Sequence, residues 1–175
     1  MKLKLLILVL ILQSAWLLGT VIFQERALAL GAVILLETER VDPRDMLRGD
    51  YLILNYKISN VLTNLFVPSV PKELRPGTTV YVALAPRGQF YEVVKASTNR
   101  LQASANEVVL RGDSAGWWGA TNSIHVAYGL ERYYVHEGTG NPDGKLTVQA
   151  AVPSSGRARV KQVFVDGRPY AEAMK

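Results

Sequence analysis

The sequence predicts a mainly β protein, an N-terminal transmembrane helix followed by a β-sandwich or partly open β-barrel domain. Three observations carry that expectation. Residues 5–23 read LLILVLILQSAWLLGTVIF, with no charge in the run. Beyond them, short aliphatic stretches and period-two alternation recur between Gly, Pro and Asp turn signals. No second long stretch carries the 3.6-residue period of a helix.

The apolar run comes first. Nineteen residues at helical rise extend about 28 Å, close to the ~30 Å hydrocarbon core of a bilayer. Lys2 and Lys4 precede the run, whereas Glu25 and Arg26 nearly cancel after it. The positive-inside rule therefore keeps the N-terminus in the cytoplasm and sends the rest across. Trp16 sits too deep for an interfacial anchor and is expected to face lipid or a partner helix. A cleaved signal peptide is the competing reading, with Ala27-Leu28-Ala29 as a small-x-small site, although a usual signal core is shorter. Residues 1–26 are thus read as a membrane anchor or signal peptide, and 27–175 as a soluble extracytoplasmic β-rich domain. Both readings export the domain, to the periplasm or the cell exterior. The retained anchor makes a single-pass protein of the cytoplasmic membrane, with residues 5–23 against the lipid bilayer.

The soluble part follows element by element. Residues 28–38 are aliphatic and read as a largely buried strand. Residues 39–48 form a turn-rich connection around Asp42-Pro43, because Pro fixes φ and extends its predecessor. Residues 50–59 alternate, placing Leu52, Leu54, Tyr56 and Ile58 on one face of a half-buried strand. One or two helical turns are predicted over 60–66, and a Pro-rich loop over 67–77. Residues 78–85 and 89–97 form a hairpin about Pro86-Arg87-Gly88. A short strand at 107–111 leads into a Gly-rich turn at 112–116, and another strand covers 123–128. Residues 146–152 and 158–165 pair around Pro153-Ser154-Ser155-Gly156, and Asp166-Gly167 closes the last strand. About eight short strands result, an all-β pattern.

Composition narrows the function. Apolar residues form 49% of the chain and the formal charge is +5. Lys2, Lys4, Glu25 and Arg26 supply +2 of that charge. The remaining charges are scattered, without the clustered basic face that a nucleic-acid partner demands. There is no cysteine, which excludes disulfides, thiol nucleophiles and thiolate metal sites. No phosphate loop, dinucleotide fingerprint or Gly-x-Ser-x-Gly motif occurs. No cofactor and no metal are expected. His125 reads as a structural histidine within a strand, and His136-Glu137 lacks a second His at helical spacing.

Three groups stand out as candidate binding residues. The first is Asp42, Arg44, Asp45, Arg48, Gly49, Asp50 and Tyr51, with Tyr56 beyond. Arginine forks can pin carboxylates there, giving either a stapled structural turn or a recognition loop. Arginines hold nearby carboxylates ionised, which disfavours acid–base catalysis. The second is Glu131, Arg132, Tyr133 and Glu137, a polar aromatic block suited either to fixing a strand-to-loop transition or to recognition. The third is Trp117-Trp118. Neighbouring strand residues point to opposite faces, so one ring should be exposed for binding, unless a loop folds both inward.

The run Gly49-Asp50-Tyr51-Leu52-Ile53-Leu54-Asn55-Tyr56 fits the signature of the GDYXXLXY family of bacterial membrane-anchored proteins, which this chain resembles. The lead-in at 41–48 is similar to that family's, and so is the later block Tyr128-Gly129-Leu130-Glu131-Arg132-Tyr133-Tyr134-Val135-His136-Glu137-Gly138. That block usually carries Pro where His136 stands here. The resemblance implies a partner in a membrane complex, since genes of this family commonly accompany multi-spanning membrane proteins. It supplies no catalytic residue. The expected function is therefore a non-catalytic envelope protein that binds a multi-spanning membrane protein. The alternative is an envelope hydrolase using Asp or Glu, or a degenerate relative of the signal peptidases. Pro43, Leu47 and Gly49-Asp50 look like the latter's strand entrance, but Val41-Asp42 replaces the serine nucleophile and the Pro-to-Gly spacing is one residue longer.

Overall fold

Helix α1 spans Lys2–Leu30 and leaves Lys4–Phe23 with a mean hydropathy of 2.4, none of it buried inside the chain. That stretch is long and apolar enough to cross a membrane, and it fits a membrane anchor. It has no polar stripe that would mark a helix lying on a soluble core. This computed structural model describes residues 2–39, 51–71, 74–117, 122–135, 142 and 144–173.

The strands follow as β1 (Ala32–Glu37), β2 (Tyr51–Ile53), β3 (Asn60–Leu62), β4 (Thr79–Arg87), β5 (Phe90–Ser97), β6 (Val108–Trp117), β7 (Ser123–Ala127), β8 (Arg132–Tyr134), β9 (Leu146–Val152), β10 (Arg159–Val165) and β11 (Arg168–Pro169). Two 3-10 turns, Lys57–Ser59 and Thr63–Leu65, flank β3, and a short helix α2 (Tyr170–Ala173) ends the described chain. One sheet has the order β1-β9-β10-β11, a second β3-β7-β6-β4-β5, and a two-stranded ribbon joins β2 to β8. The strand pairs within the sheets are antiparallel.

The protein is mainly β, as the alternation predicts. The inward faces carry Ile34 and Leu36 from β1, Val80, Val82 and Leu84 from β4, Ile124 and Val126 from β7, and Leu146, Val148 and Ala150 from β9. They meet in one apolar cluster fed by all three sheets. Edge strand β1 lies beside edge strand β5 without sharing a ladder, so among the described residues the sheets do not close into a barrel.

Five local expectations change. The helix runs past Arg26 to Leu30, so residues 28–30 are helical rather than the start of a strand. Leu and Ala favour that continuation, and Gly31, a poor helix former, follows it. The alternating run 50–59 is not one strand. Leu52, Leu54, Tyr56 and Ile58 are all buried as their period requires, yet only Tyr51–Ile53 forms a ladder strand. The partner changes along the run: β8 pairs with β2, Glu131 accepts the Leu54 N–H at 2.8 Å, and Thr38 bridges Tyr56. In 60–66 a strand precedes the single 3-10 turn.

The hairpin of β4 and β5 forms, but its two-residue loop is Gly88–Gln89, with Pro86 and Arg87 paired in the strand. Gly88 has φ +63, the conformation such a loop asks of its first residue. Residues 112–116 are not a turn, because β6 continues to Trp117. Gly112 sits where a Cβ would meet Val126 Cγ1 and the Ala127 carbonyl oxygen at 2.6 and 2.7 Å, and a register shift falls between Ser114 and Gly116. Glycine here marks close backbone approach and a bulge.

Candidate functional site

The second tyrosine of the signature is a core residue. The Tyr56 ring is fully buried, and its hydroxyl donates to the Leu130 carbonyl at 2.8 Å. Tyr128 returns the contact, its hydroxyl donating to the Ile58 carbonyl at 2.8 Å. Each phenol is thus bonded to the backbone of the opposite segment, Tyr56 to the second block and Tyr128 to the turn just after the first. Glu131 closes the turn that opens the second block, one carboxylate oxygen accepting the Tyr128 N–H at 2.6 Å. Burial pushes both phenols well above the ordinary tyrosine range, and the Glu131 charge adds to the effect. They stay protonated as donors and offer no proton for catalysis near neutral pH.

The ribbon of β2 and β8 carries the opposite face. Register sets Tyr51 across from Tyr134, Leu52 across from Tyr133 and Ile53 across from Arg132. The Tyr51 and Tyr134 rings are 5.9 Å apart, and the Arg132 guanidinium lies 5.3 Å from the Tyr51 ring centre. Tyr134 is 72% exposed. Tyr133 turns the other way, edge-on to Tyr170 at 5.9 Å. Tyr51, Arg132 and Tyr134 therefore form an open cation–aromatic surface, of the side-chain types that dominate interface energies.

The model of the family described as GDYXXLXY protein matches residues 13–163. This chain belongs to the GDYXXLXY family. No curated protein and no solved structure matches it. In this family member the name-giving residues divide by role: Leu54 and Tyr56 build the core, and Tyr51 builds the surface.

Of the residues singled out by sequence, the structure brings Tyr51, Tyr56, Glu131, Arg132 and Tyr133 together. Asp42, Arg44, Asp45, Arg48, Gly49, Asp50, Trp118 and Glu137 lie outside the described residues, as does His136. Trp117 ends β6, in the five-stranded sheet rather than the β2–β8 ribbon. His125 lies beside Asn60, with Nδ1 3.1 Å from Oδ1, tying β7 to β3. Tyr134 was absent from the sequence candidates. Strand alternation in Arg132-Tyr133-Tyr134 was the available signal, since an inward Tyr133 sends its neighbours outward.

A second polar cluster had no sequence signal at all. Glu37 on β1 receives Lys57 Nζ at 2.7 Å and Lys145 Nζ at 2.5 Å, with only 18% of its side chain exposed. The Lys145 bond, then the Lys57 bond, hold its carboxyl below the ordinary carboxylate range. A depressed folded-state pKa contributes stability above the unfolded value, and that stability is lost as pH falls through the folded value. Both lysines are more than half exposed, so solvent screens much of the attraction. Glu37→Gln should cost about 1 kcal/mol at pH 7, a fall of roughly 2–4 °C in Tm. The gap should shrink toward zero below about pH 4. Equal gaps in melting temperature at pH 7 and pH 3 would show that the ion pairs contribute nothing.

Proposed function

We propose that this GDYXXLXY protein is a non-catalytic, single-pass protein of a bacterial cytoplasmic membrane whose β-domain binds a multi-spanning membrane protein. The N-terminus stays in the cytoplasm, as Lys2 and Lys4 before the apolar stretch favour, and the domain stands outside. The observation that carries the binding assignment is the surface of exposed Arg132 and Tyr134 and half-buried Tyr51 on the ribbon that joins both signature blocks. Large apolar rings left in water beside a guanidinium gain most when a partner covers them. Only Gly31 separates α1 from β1, which keeps the domain near the bilayer. Tethering raises the effective concentration of a membrane partner, so a modest interface suffices. Support for the non-catalytic reading comes from Glu131, Tyr56 and Tyr128, each committed to a backbone group.

Photo-crosslinking in intact cells tests this. A benzophenone amino acid replaces Tyr134 in one full-length variant and Arg87, at the β4–β5 hairpin, in another. A multi-spanning protein should crosslink from position 134 and not from 87, and Arg132→Ala should reduce its co-purification in mild detergent about tenfold. Equal crosslinking from both positions, or no membrane protein from position 134, would overturn the assignment.

A further inference from the structure

A cleft of about 500 Å3 opens where the start of β10 faces β6 and the end of β7. Its lining includes Arg111, Arg132, Arg157 and Arg159, with Asp113 as the single carboxylate among the lining residues. Asp113 Oδ1 already accepts a bond from Thr79 Oγ1 at 3.2 Å. Among the described residues, Arg111, Arg157 and Arg159 have no carboxylate within ion-pair distance. Arg132 rests on the Tyr51 ring. Elsewhere some cations of the domain meet carboxylates, as Lys57 and Lys145 meet Glu37 and Arg87 meets Glu92.

Gathering four guanidiniums costs repulsion within a Debye length, about 8 Å at physiological salt. Backbone contacts fix the two sides of the cleft. The Arg111 N–H donates to the Gly156 carbonyl at 2.8 Å, which seats the turn between β9 and β10 on β6. Gly156 has φ +77, and a Cβ there would stand 3.1 Å from the Val109 carbonyl oxygen and 3.2 Å from the Arg111 nitrogen. Backbone conformation therefore disfavours a side chain there, and the space for one is tight. This close seating holds Arg157 and Arg159 across from Arg111.

Arginine rather than lysine points to a planar or tetrahedral oxyanion. The guanidinium fork donates two parallel bonds to phosphate or carboxylate oxygens and keeps its charge at every physiological pH. Ladder register places the cleft's mouth near the base of the domain. Ala151 pairs with both Val33 and Arg159, so Arg159 stands level with the second residue of β1, about 10 Å of strand beyond the end of α1.

We propose that the arginine cleft between β6 and β10 is a binding site for a phosphate-bearing anion. The oxyanion neutralises Arg111, Arg157 and Arg159, and Arg132 links the site to the Tyr51 surface. Phosphate reaches such a site either on the headgroup of an anionic phospholipid or as a soluble phosphate compound. The site stands on its own geometry and does not depend on the partner proposed above.

Two arms separate the sources. In the first, the full chain is placed in nanodiscs of equal phosphatidylcholine and phosphatidylglycerol, and native mass spectrometry reads which lipid stays bound. In the second, the chain in pure phosphatidylcholine nanodiscs is titrated with inorganic pyrophosphate by calorimetry. Preferential retention of phosphatidylglycerol identifies a lipid site, and saturable pyrophosphate binding identifies a soluble ligand. In the arm that responds, Arg111→Gln with Arg159→Gln should weaken binding about a hundredfold, roughly tenfold for each arginine. The exposed Arg157→Gln provides a single change for use if the double variant does not fold, as read by circular dichroism, and should weaken binding about tenfold. The proposal is overturned if neither arm shows binding, or if the folded variants bind as the wild type does.

Discussion

Tyr56→Ala should cost about 3–5 kcal/mol, the usual penalty for removing a buried aromatic ring. A whole domain is stable by only about 5–15 kcal/mol, so the variant should melt roughly 10 °C or more below the wild type. Two losses add at this position. The ring leaves a void among Leu54, Ile58 and their neighbours in the apolar cluster, and the Leu130 carbonyl loses its donor. Tyr56→Phe isolates the second loss and should cost about 1–2 kcal/mol. Tyr128→Phe should cost a similar amount, because it strips the Ile58 carbonyl of its partner. The two bonds cross the same strand-to-turn junction, so the double variant should depart from additivity by about 0.5 kcal/mol or more. Alkali provides a further check. Folding raises both phenol pKa values, so the folded state keeps protons that the unfolded chain releases above about pH 10. Stability present below that pH is lost as pH rises, and the Phe variants should lose less of it. Thermal melts of the full chain in detergent micelles read all of these effects. A Tyr56→Ala protein melting within 2 °C of wild type, about what a 1 kcal/mol loss produces, would sink the account of the signature's last tyrosine as a core residue.

The same tyrosine shows where sequence reading succeeds and stops. Period-two alternation placed Tyr56 with Leu52, Leu54 and Ile58 on one inward face, and all four are buried. Alternation reports which side of an extended backbone meets the core, and it does so whether or not a ladder forms. It cannot report that β8, Glu131 and Thr38 take turns as partners, because partners are set by chain returning from far away. The Gly-rich run at 112–116 failed for a related reason. Glycine permits a turn and also permits a neighbouring strand to come close, and only the position of Val126 and Ala127 decides between them. The arginine cleft was not legible. Arg111, Arg132, Arg157 and Arg159 are scattered along the sequence, and each alone reads as a solvated strand-end charge. The antiparallel return of β10 and the seat at Gly156 bring them to one place.

The apolar helix carries the other large effect. Leu, Ile, Val and Phe fill thirteen of the nineteen positions from 5 to 23, together favouring insertion by about 4–8 kcal/mol on the translocation scale. An arginine near the centre of such a helix costs about 2.5–3.5 kcal/mol on that scale. Leu10→Arg combined with Leu17→Arg puts two guanidiniums two turns apart on the same face, each within about one turn of the centre. Their cost removes nearly the whole driving force, and two favourable leucines are lost as well. Wild-type chain should stay in the membrane pellet through an alkaline carbonate wash, whereas the double variant should appear in the soluble fraction of the cytoplasm. Intact mass also separates a retained helix from a cleaved leader. The helix continues without interruption through 27–29 to Leu30, so the small-x-small site would have to unwind before a peptidase could hold it extended. The mature chain should therefore keep its first residues. A mature protein beginning at Leu30, or intact protein remaining in the supernatant with its helix attached, would remove the tether on which the membrane partnership depends.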